Sequence, residues 1–257
     1  MKWLALDTSS DALSVALGQG DRENVQIQKA FHEVLGPQHG VTLVPEIQKL
    51  LQAVAWKAQD IDCLVVGLGP GSYTGMRLGV TLAKIWSVSL KLDLYSVSSL
   101  ALLAGQVEPD LDILIIPVVD ARRMSAYTNI YRWTEDKLVS LFQDGHYDWE
   151  DWLSHIEPIL QENPDQKIIF IGHQIQDFVD LFVDKFPDFR DQVEIIEGRY
   201  PDAGLAFTKG MMNPIKDPHT LAPNYAHPTL AEQEWAAKHQ RSVANEEENE
   251  RYIEHFL

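Results

Sequence analysis

Basic residues are scarce in this chain. Of its 257 residues, 21 are Lys or Arg against 38 Asp or Glu, a formal charge of −17. Affinity for a phosphate backbone rests on cations that displace counterions, so a grip on nucleic acid by this chain alone is disfavoured. Cysteine is almost missing: Cys63 stands alone, which excludes an internal disulfide. Its setting, Ile61-Asp62-Cys63-Leu64-Val65-Val66, suits a small hydrophobe in a buried strand. No run approaches the roughly 20 apolar residues that span a bilayer. The N-terminus shows no basic segment and apolar stretch of a secretion signal, so a reducing cytoplasm is the expected compartment. The nine histidines contain no His-Glu-x-x-His, and His32 and His39 stand seven apart, which is no metal-ligand spacing.

What is present is a hydrophobic content of 45%, enough for one large or two modest cores. Residues 3–7, 13–17 and 24–28 read as an antiparallel meander punctuated by Thr8-Ser9-Ser10-Asp11 and Gly18-Gln19-Gly20-Asp21. The period then changes: Leu43, Ile47, Leu50 and Val54 recur at helical spacing, with Pro45 expected in the first turn. A strand at 63–68, a helix at 74–90, a strand at 94–97 and a helix from 98 complete this half. The same order returns as strands at 113–119, 126–131 and 138–142, a helix at 149–160, a strand at 167–171, a helix at 175–186, a strand at 193–196 and a helix near 203–211. Two βββαβαβα halves, each a mixed sheet covered by helices, make a duplicated actin-like (ribonuclease-H-like) α/β fold the expectation. The expected division is 1–108, 109–228 and an acidic, helical or disordered tail at 229–257.

Candidate chemistry gathers at the turns. Asp7-Thr8-Ser9 can offer hydroxyls and N–H groups to a phosphate, or simply satisfy a tight turn. The loop Gly67-Leu68-Gly69-Pro70-Gly71-Ser72 is not a dinucleotide fingerprint, because Ser72 stands where the third glycine belongs. The chain also has no Gly-Lys dipeptide and no Gly-x-Ser-x-Gly elbow. The loop opens a helix with Ser72 or Thr74 as N-cap, whose free N–H groups can attract an anion. On that helix Gly75, Gly79, Ala83 and Ser87 fall four apart. Two helical glycines cost about 1 kcal/mol each relative to alanine, so some backbone must approach closely, either the chain's own sheet or a partner. Asp120-Ala121-Arg122-Arg123 opens the second half much as Asp7 opens the first, and its arginines suit an anion or an internal ion pair.

Taken in order, several segments resemble the TsaB family, the non-catalytic, actin-like subunits of the bacterial machinery that installs threonylcarbamoyladenosine on tRNA. They are Leu4-Ala5-Leu6-Asp7-Thr8-Ser9, His39-Gly40 before Leu43-Val44-Pro45-Glu46-Ile47, the run from Gly67 through Gly-Pro-Gly-Ser-Tyr-Thr-Gly-Met-Arg to Val80, Ala83-Lys84, Ser96-Val97-Ser98-Ser99-Leu100, Asp120-Ala121-Arg122-Arg123 and Ala222-Pro223-Asn224-Tyr225. Ala226-His227 stand where the family often continues with Leu-Arg, and the tail resembles an extension. The resemblance implies pairing with the catalytic paralogue TsaD through an N-terminal helical bundle, engagement of the ATPase TsaE, tRNA contact only through the complex, and homodimers when isolated. Leu43, Ile47, Leu50 and Val54, with Gly75, Met76, Gly79, Val80, Ala83 and Ser87, are the expected interface. Asp7, Thr8, Ser9, Ser72 and Thr74 are the expected anion or nucleotide contacts. No cofactor is expected on this chain alone; ATP or ADP and a metal belong to the partners. The two metal-binding histidines of TsaD align with Ser99 and Leu103 here, and leucine cannot ligate a metal. A stand-alone phosphotransferase of the actin and sugar-kinase class, with Asp7 and Asp120 organising magnesium, is the alternative. A peptidase is disfavoured because no nucleophile–base pattern is present.

Overall fold

The computed structural model describes residues 1–135, 137–208 and 210–226, so the tail expected at 229–257 lies outside the described residues. Strands β1 (Lys2–Asp7), β2 (Ala12–Gly20) and β3 (Val25–Val34) form the meander, followed by α1 (His39–Ala53), β4 (Cys63–Gly67), α2 (Tyr73–Leu90), β5 (Asp93–Val97) and α3 (Ser99–Ala104). The apolar runs of β1 and β4 pair in parallel and are covered on both faces, which is why they show no alternation. β3 is the edge of the sheet, mostly exposed and polar.

The second half contains β6 (Ile113–Asp120), β7 (Ser125–Thr128), β8 (Tyr131–Trp133), β9 (Leu138–Ser140), β10 (Gly145–Asp148), α4 (Trp149–Glu162), β11 (Lys167–Gly172), α5 (Gln176–Lys185) and β12 (Val193–Ile196). A last strand, β13 (Asn213–Ile215), returns to pair antiparallel with β5. One sheet therefore runs β13-β5-β4-β1-β2-β3 and the other β10-β7-β6-β11-β12, with β8 attached to β6 and β9 to β8.

Three cores follow. Leu4, Leu6, Ile47, Leu64 and Val80 bury the outer face of the first sheet under α1 and α2. Ile116, Trp149, Trp152, Phe170 and Phe182 do the same under α4 and α5. Between the halves, Trp3, Val65, Leu100, Leu103, Ile115, Ile171 and Phe207 form one shared core in which α3 is embedded. Each fully buried aliphatic or aromatic side chain contributes about 1.5–3 kcal/mol, so the halves are held by apolar burial.

The sequence expectation differs from this fold in several places, among them β13, which was not expected, and β3, which runs on to Val34. The strand expected at 126–131 divides at Asn129, whose buried Oδ1 accepts the N–H of Ile130 (2.6 Å) and of Phe142 (3.2 Å) and so replaces strand pairing locally. β10, with few apolar residues, was not expected. The helix expected at 203–211 is a short 3-10 turn, Ala203–Phe207, packed on the first half and followed by the return strand. Pro45 lies in the second turn of α1, which begins at His39.

Candidate functional site

The glycine loop is stitched into place by three segments. The Ser72 N–H donates to the Ser9 carbonyl at 2.6 Å, and the Ser72 hydroxyl caps α2 by accepting from the Gly75 N–H at 3.3 Å. The Thr8 hydroxyl donates to the Gly75 carbonyl at 2.8 Å. From the far end of the chain, the Asn224 N–H donates to the Leu68 carbonyl at 2.8 Å. The serine expected as N-cap is therefore Ser72, and Thr74 stays exposed.

Asp7 is 0% exposed. Its Oδ1 accepts from the Ser9 N–H (2.9 Å) and hydroxyl (2.7 Å), and its Oδ2 from the Ser99 hydroxyl (2.5 Å). Burial pushes its pKa up, while the bonds from Ser99 and Ser9 and the nearby His39 oppose the shift. Asp7 and Thr8 are both fully buried, and their side chains are engaged by Ser9, Ser99 and the Gly75 carbonyl. Desolvation likewise pushes the Cys63 thiol up to about 12, the chemistry of a core residue.

Ser99 also accepts the Gly69 N–H at 3.0 Å, so it clips the loop to Asp7. Its neighbour Ser98 faces the other half: its hydroxyl donates to Asp144, which also accepts Tyr131 Oη and Asn129 Nδ2, both at 2.5 Å. Burial and the Asp144 carboxylate drive the Tyr131 pKa well up. Leu103 is buried in the shared core. Among the described residues no group of three or more His, Cys, Asp or Glu is placed to hold a metal.

The expected interface residues point inward. Gly75, Met76, Gly79, Val80, Ala83 and Ser87 are all buried. A Cβ on Gly75 would overlap the Thr8 carbonyl oxygen, and one on Gly79 would lie 2.5 Å from Thr8 Oγ1 and 3.1 Å from Leu6 Cδ1. The close approach demanded by the two glycines is that of β1 and its turn. Leu43, Ile47 and Leu50 are buried beneath α1, and Val54 packs on the same core. These residues spend most of their surface on the chain's own sheet, and of them Leu43 also lines the outer groove.

The opposite faces were missed. Val41 and Val44 on α1 and Ile85 and Val88 on α2 are exposed, Ile85 by 57%. Between the helices lies a groove of about 450 Å³ lined by Val44, Leu78, Leu82 and Ile85, with Arg77 and Thr74 at its rim. Arg77 lies 4.0 Å from the Tyr73 ring, and its Nε donates to Tyr225 Oη at 3.0 Å. The Lys84 ammonium holds the same terminal segment through the carbonyls of His219 (2.9 Å) and Leu221 (3.1 Å). A signal existed, because α2 carries apolar residues on more than one face.

A second, polar cleft of about 450 Å³ opens between the halves, lined by Ser9, Ser10 and Ser72 on one side and Asp120, Arg122 and Arg199 on the other. The five expected anion contacts thus separate: Ser9 and Ser72 reach this cleft, Thr74 the outer groove, Asp7 and Thr8 neither.

The family described as "TsaD: tRNA N6-adenosine threonylcarbamoyltransferase" matches residues 23–249. The chain is 34% identical over 235 residues (91% of the chain, 98% of the relative) to the tRNA threonylcarbamoyladenosine biosynthesis protein TsaB of Bacillus subtilis. It is 31% identical over 137 residues to the TsaB of Escherichia coli, covering 53% of the chain and 57% of that protein. Among solved structures it is similar to YeaZ from Pseudomonas aeruginosa, with a TM-score of 0.63 and 22% identity over 88% of this chain and 100% of the other, a likeness of fold.

Proposed function

This chain belongs to the TsaB proteins, within the family described as tRNA N6-adenosine threonylcarbamoyltransferase, and from that premise we propose that it serves threonylcarbamoyladenosine formation on tRNA as a non-catalytic subunit. The observation that carries this reading is the state of Ser99 and Leu103. At the two positions that the resemblance assigns to the paralogue's metal ligands, one hydroxyl is spent on Asp7 and Gly69 and the other side chain is core. The frame of an active site is kept and its ligands are replaced by packing.

The subunit acts through its surface. The outward faces of α1 and α2, with Val41, Val44, Ile85 and Val88, receive a TsaD-type catalytic partner, and a second copy of this chain when that partner is missing. Exposed aliphatic residues beside an apolar groove are what such a contact requires. A TsaE-type ATPase joins the pair in the cytoplasm, ATP or ADP and the metal reside in the partners, and tRNA is held through the complex. The charge of −17 supports that division of labour. No helix among the described residues is long and apolar enough to cross a membrane. The phosphotransferase alternative loses its magnesium organiser, because Asp7 is sealed from solvent.

Depletion of the protein followed by mass spectrometry of tRNA nucleosides tests the reading. The expected result is loss of threonylcarbamoyladenosine; an unchanged level overturns it.

A further inference from the structure

The chain's own terminal segment arrives at the groove between α1 and α2. We propose that residues 227–257, which follow it, fold back over this groove, seated there by Tyr252, Ile253, Phe256 and Leu257, and so compete with any partner for that face. The proposal rests on the subunit reading only for the identity of what displaces them.

The last described residues lead to the rim of the groove. Residues 219–225 run beside α2 from Lys84 back to Tyr73: the Lys84 ammonium holds the carbonyls of His219 and Leu221, and Arg77 Nε donates to Tyr225 Oη. The Tyr225 ring lies 4.7 Å from the Tyr73 ring, and Tyr73 and Arg77 both line the groove. Helix α2 has 18 residues and is about 27 Å long, a distance that roughly nine extended residues span. Residues 227–257 therefore have ample length to reach the whole groove and return along it.

The two surfaces match in shape and polarity. The groove, of about 450 Å³, is lined by Val44, Leu78, Leu82 and Ile85, and the exposed Val41 and Val88 extend its apolar surface. Tyr252, Ile253, Phe256 and Leu257 stand one, four and five apart, the spacing that gathers side chains on one face of a helix. An apolar face of that kind is what enters a groove between two helices. Charge selects the same occupant. From Tyr73 through Lys91, α2 and its cap residue carry Arg77, Lys84 and Lys91 and no carboxylate. Residues 227–257 hold seven glutamates against three Lys or Arg. A basic helix in a chain of charge −17 attracts the acidic segment tethered beside it, whereas a second copy brings its whole negative charge and has no tether.

The test follows iodoacetamide labelling of the full chain carrying Ile85→Cys, a change at an exposed position that leaves the fold intact. Cys63, buried and with its thiol pushed up to about 12, stays silent. Labelling is expected to be at least about tenfold faster once Tyr252→Asp and Phe256→Asp are added, at every protein concentration. As a second measurement, the pair Ile85→Cys and Phe256→Cys should close a disulfide within one chain, under mild oxidation, at least about tenfold faster than the pair Leu111→Cys and Phe256→Cys, Leu111 being an exposed residue of the second half. Equal labelling with and without the two aspartate substitutions, protection that disappears on dilution and so belongs to a second copy, or equal disulfide rates in the two pairs overturns the proposal. All of these are read on the isolated chain, so they fail separately from the test of tRNA modification.

Discussion

The two long faces of α2 can be compared residue by residue. The inward face presents Gly75 and Gly79 to β1 and its turn, where even a methyl group at position 75 would overlap a carbonyl oxygen, and Ala83 and Ser87 are buried further along the same sheet, the Ser87 hydroxyl donating to the Leu92 carbonyl at 3.0 Å. The outward face presents Ile85 and Val88, larger and more apolar, to solvent, with half-buried Leu78 lining the groove beside them. Small residues on this helix mark where its own sheet comes close, and the exposed large ones mark the face proposed above to meet a partner. Both faces carry helical periodicity, so periodicity alone does not separate them.

Four substitutions probe that difference. Gly79→Leu forces a side chain against Thr8 and Leu6, and should cost more than about 3 kcal/mol and abolish a stable fold, read by thermal unfolding. A folded Gly79→Leu monomer that merely loses its partner would return the inward face to the interface. Ser99→Ala strips Asp7 and Gly69 of a shared partner and should cost about 1–3 kcal/mol in urea unfolding. Ile85→Asp on the outward face should leave the melting temperature almost unmoved, yet weaken self-association or capture of a TsaD-type partner at least tenfold, about 1.4 kcal/mol, in sedimentation. Unchanged association would remove the outward face from consideration. Tyr225→Ala gives the smallest change, about 0.5–1 kcal/mol from its contacts with Arg77, read as faster proteolysis of the terminal segment.

Asp7 adds a dependence on pH. Burial raises its folded-state pKa above 3.8, so the ionised carboxylate is a burden in the folded chain above that raised value. The burden is relieved as pH falls through the folded pKa and has vanished below 3.8. Relative to Asp7→Asn, the native chain should therefore gain stability on acidification across that window. A difference in melting temperature that stays flat with pH would show that Asp7 is not an ionised buried group.

Much of the fold was legible because its central strands are buried on both faces. The runs in β1, β4, β6 and β11 are apolar without interruption, and α4 and α5 show clear helical stripes. Asn213-Pro214-Ile215 carries no strand pattern of its own; it is a strand only because β5 offers a free edge. The break at Asn129 was equally hidden, since it depends on a side chain replacing backbone pairing with Phe142, far along the chain.

At the glycine loop, the sequence by itself determined that α2 begins there, that Ser72 or Thr74 caps it and that its small residues share one face. It also determined the family, through the run from Gly67 to Val80, and that positions 99 and 103 carry serine and leucine. Tertiary structure alone decided that the small face packs on the chain's own sheet, that Asp7 is sealed by Ser9 and Ser99, and that Arg122 and Arg199 share a cleft. The physical reason is that periodicity and propensity are properties of a segment about its own axis. Which body fills the space beside that axis depends on residues brought together by the fold.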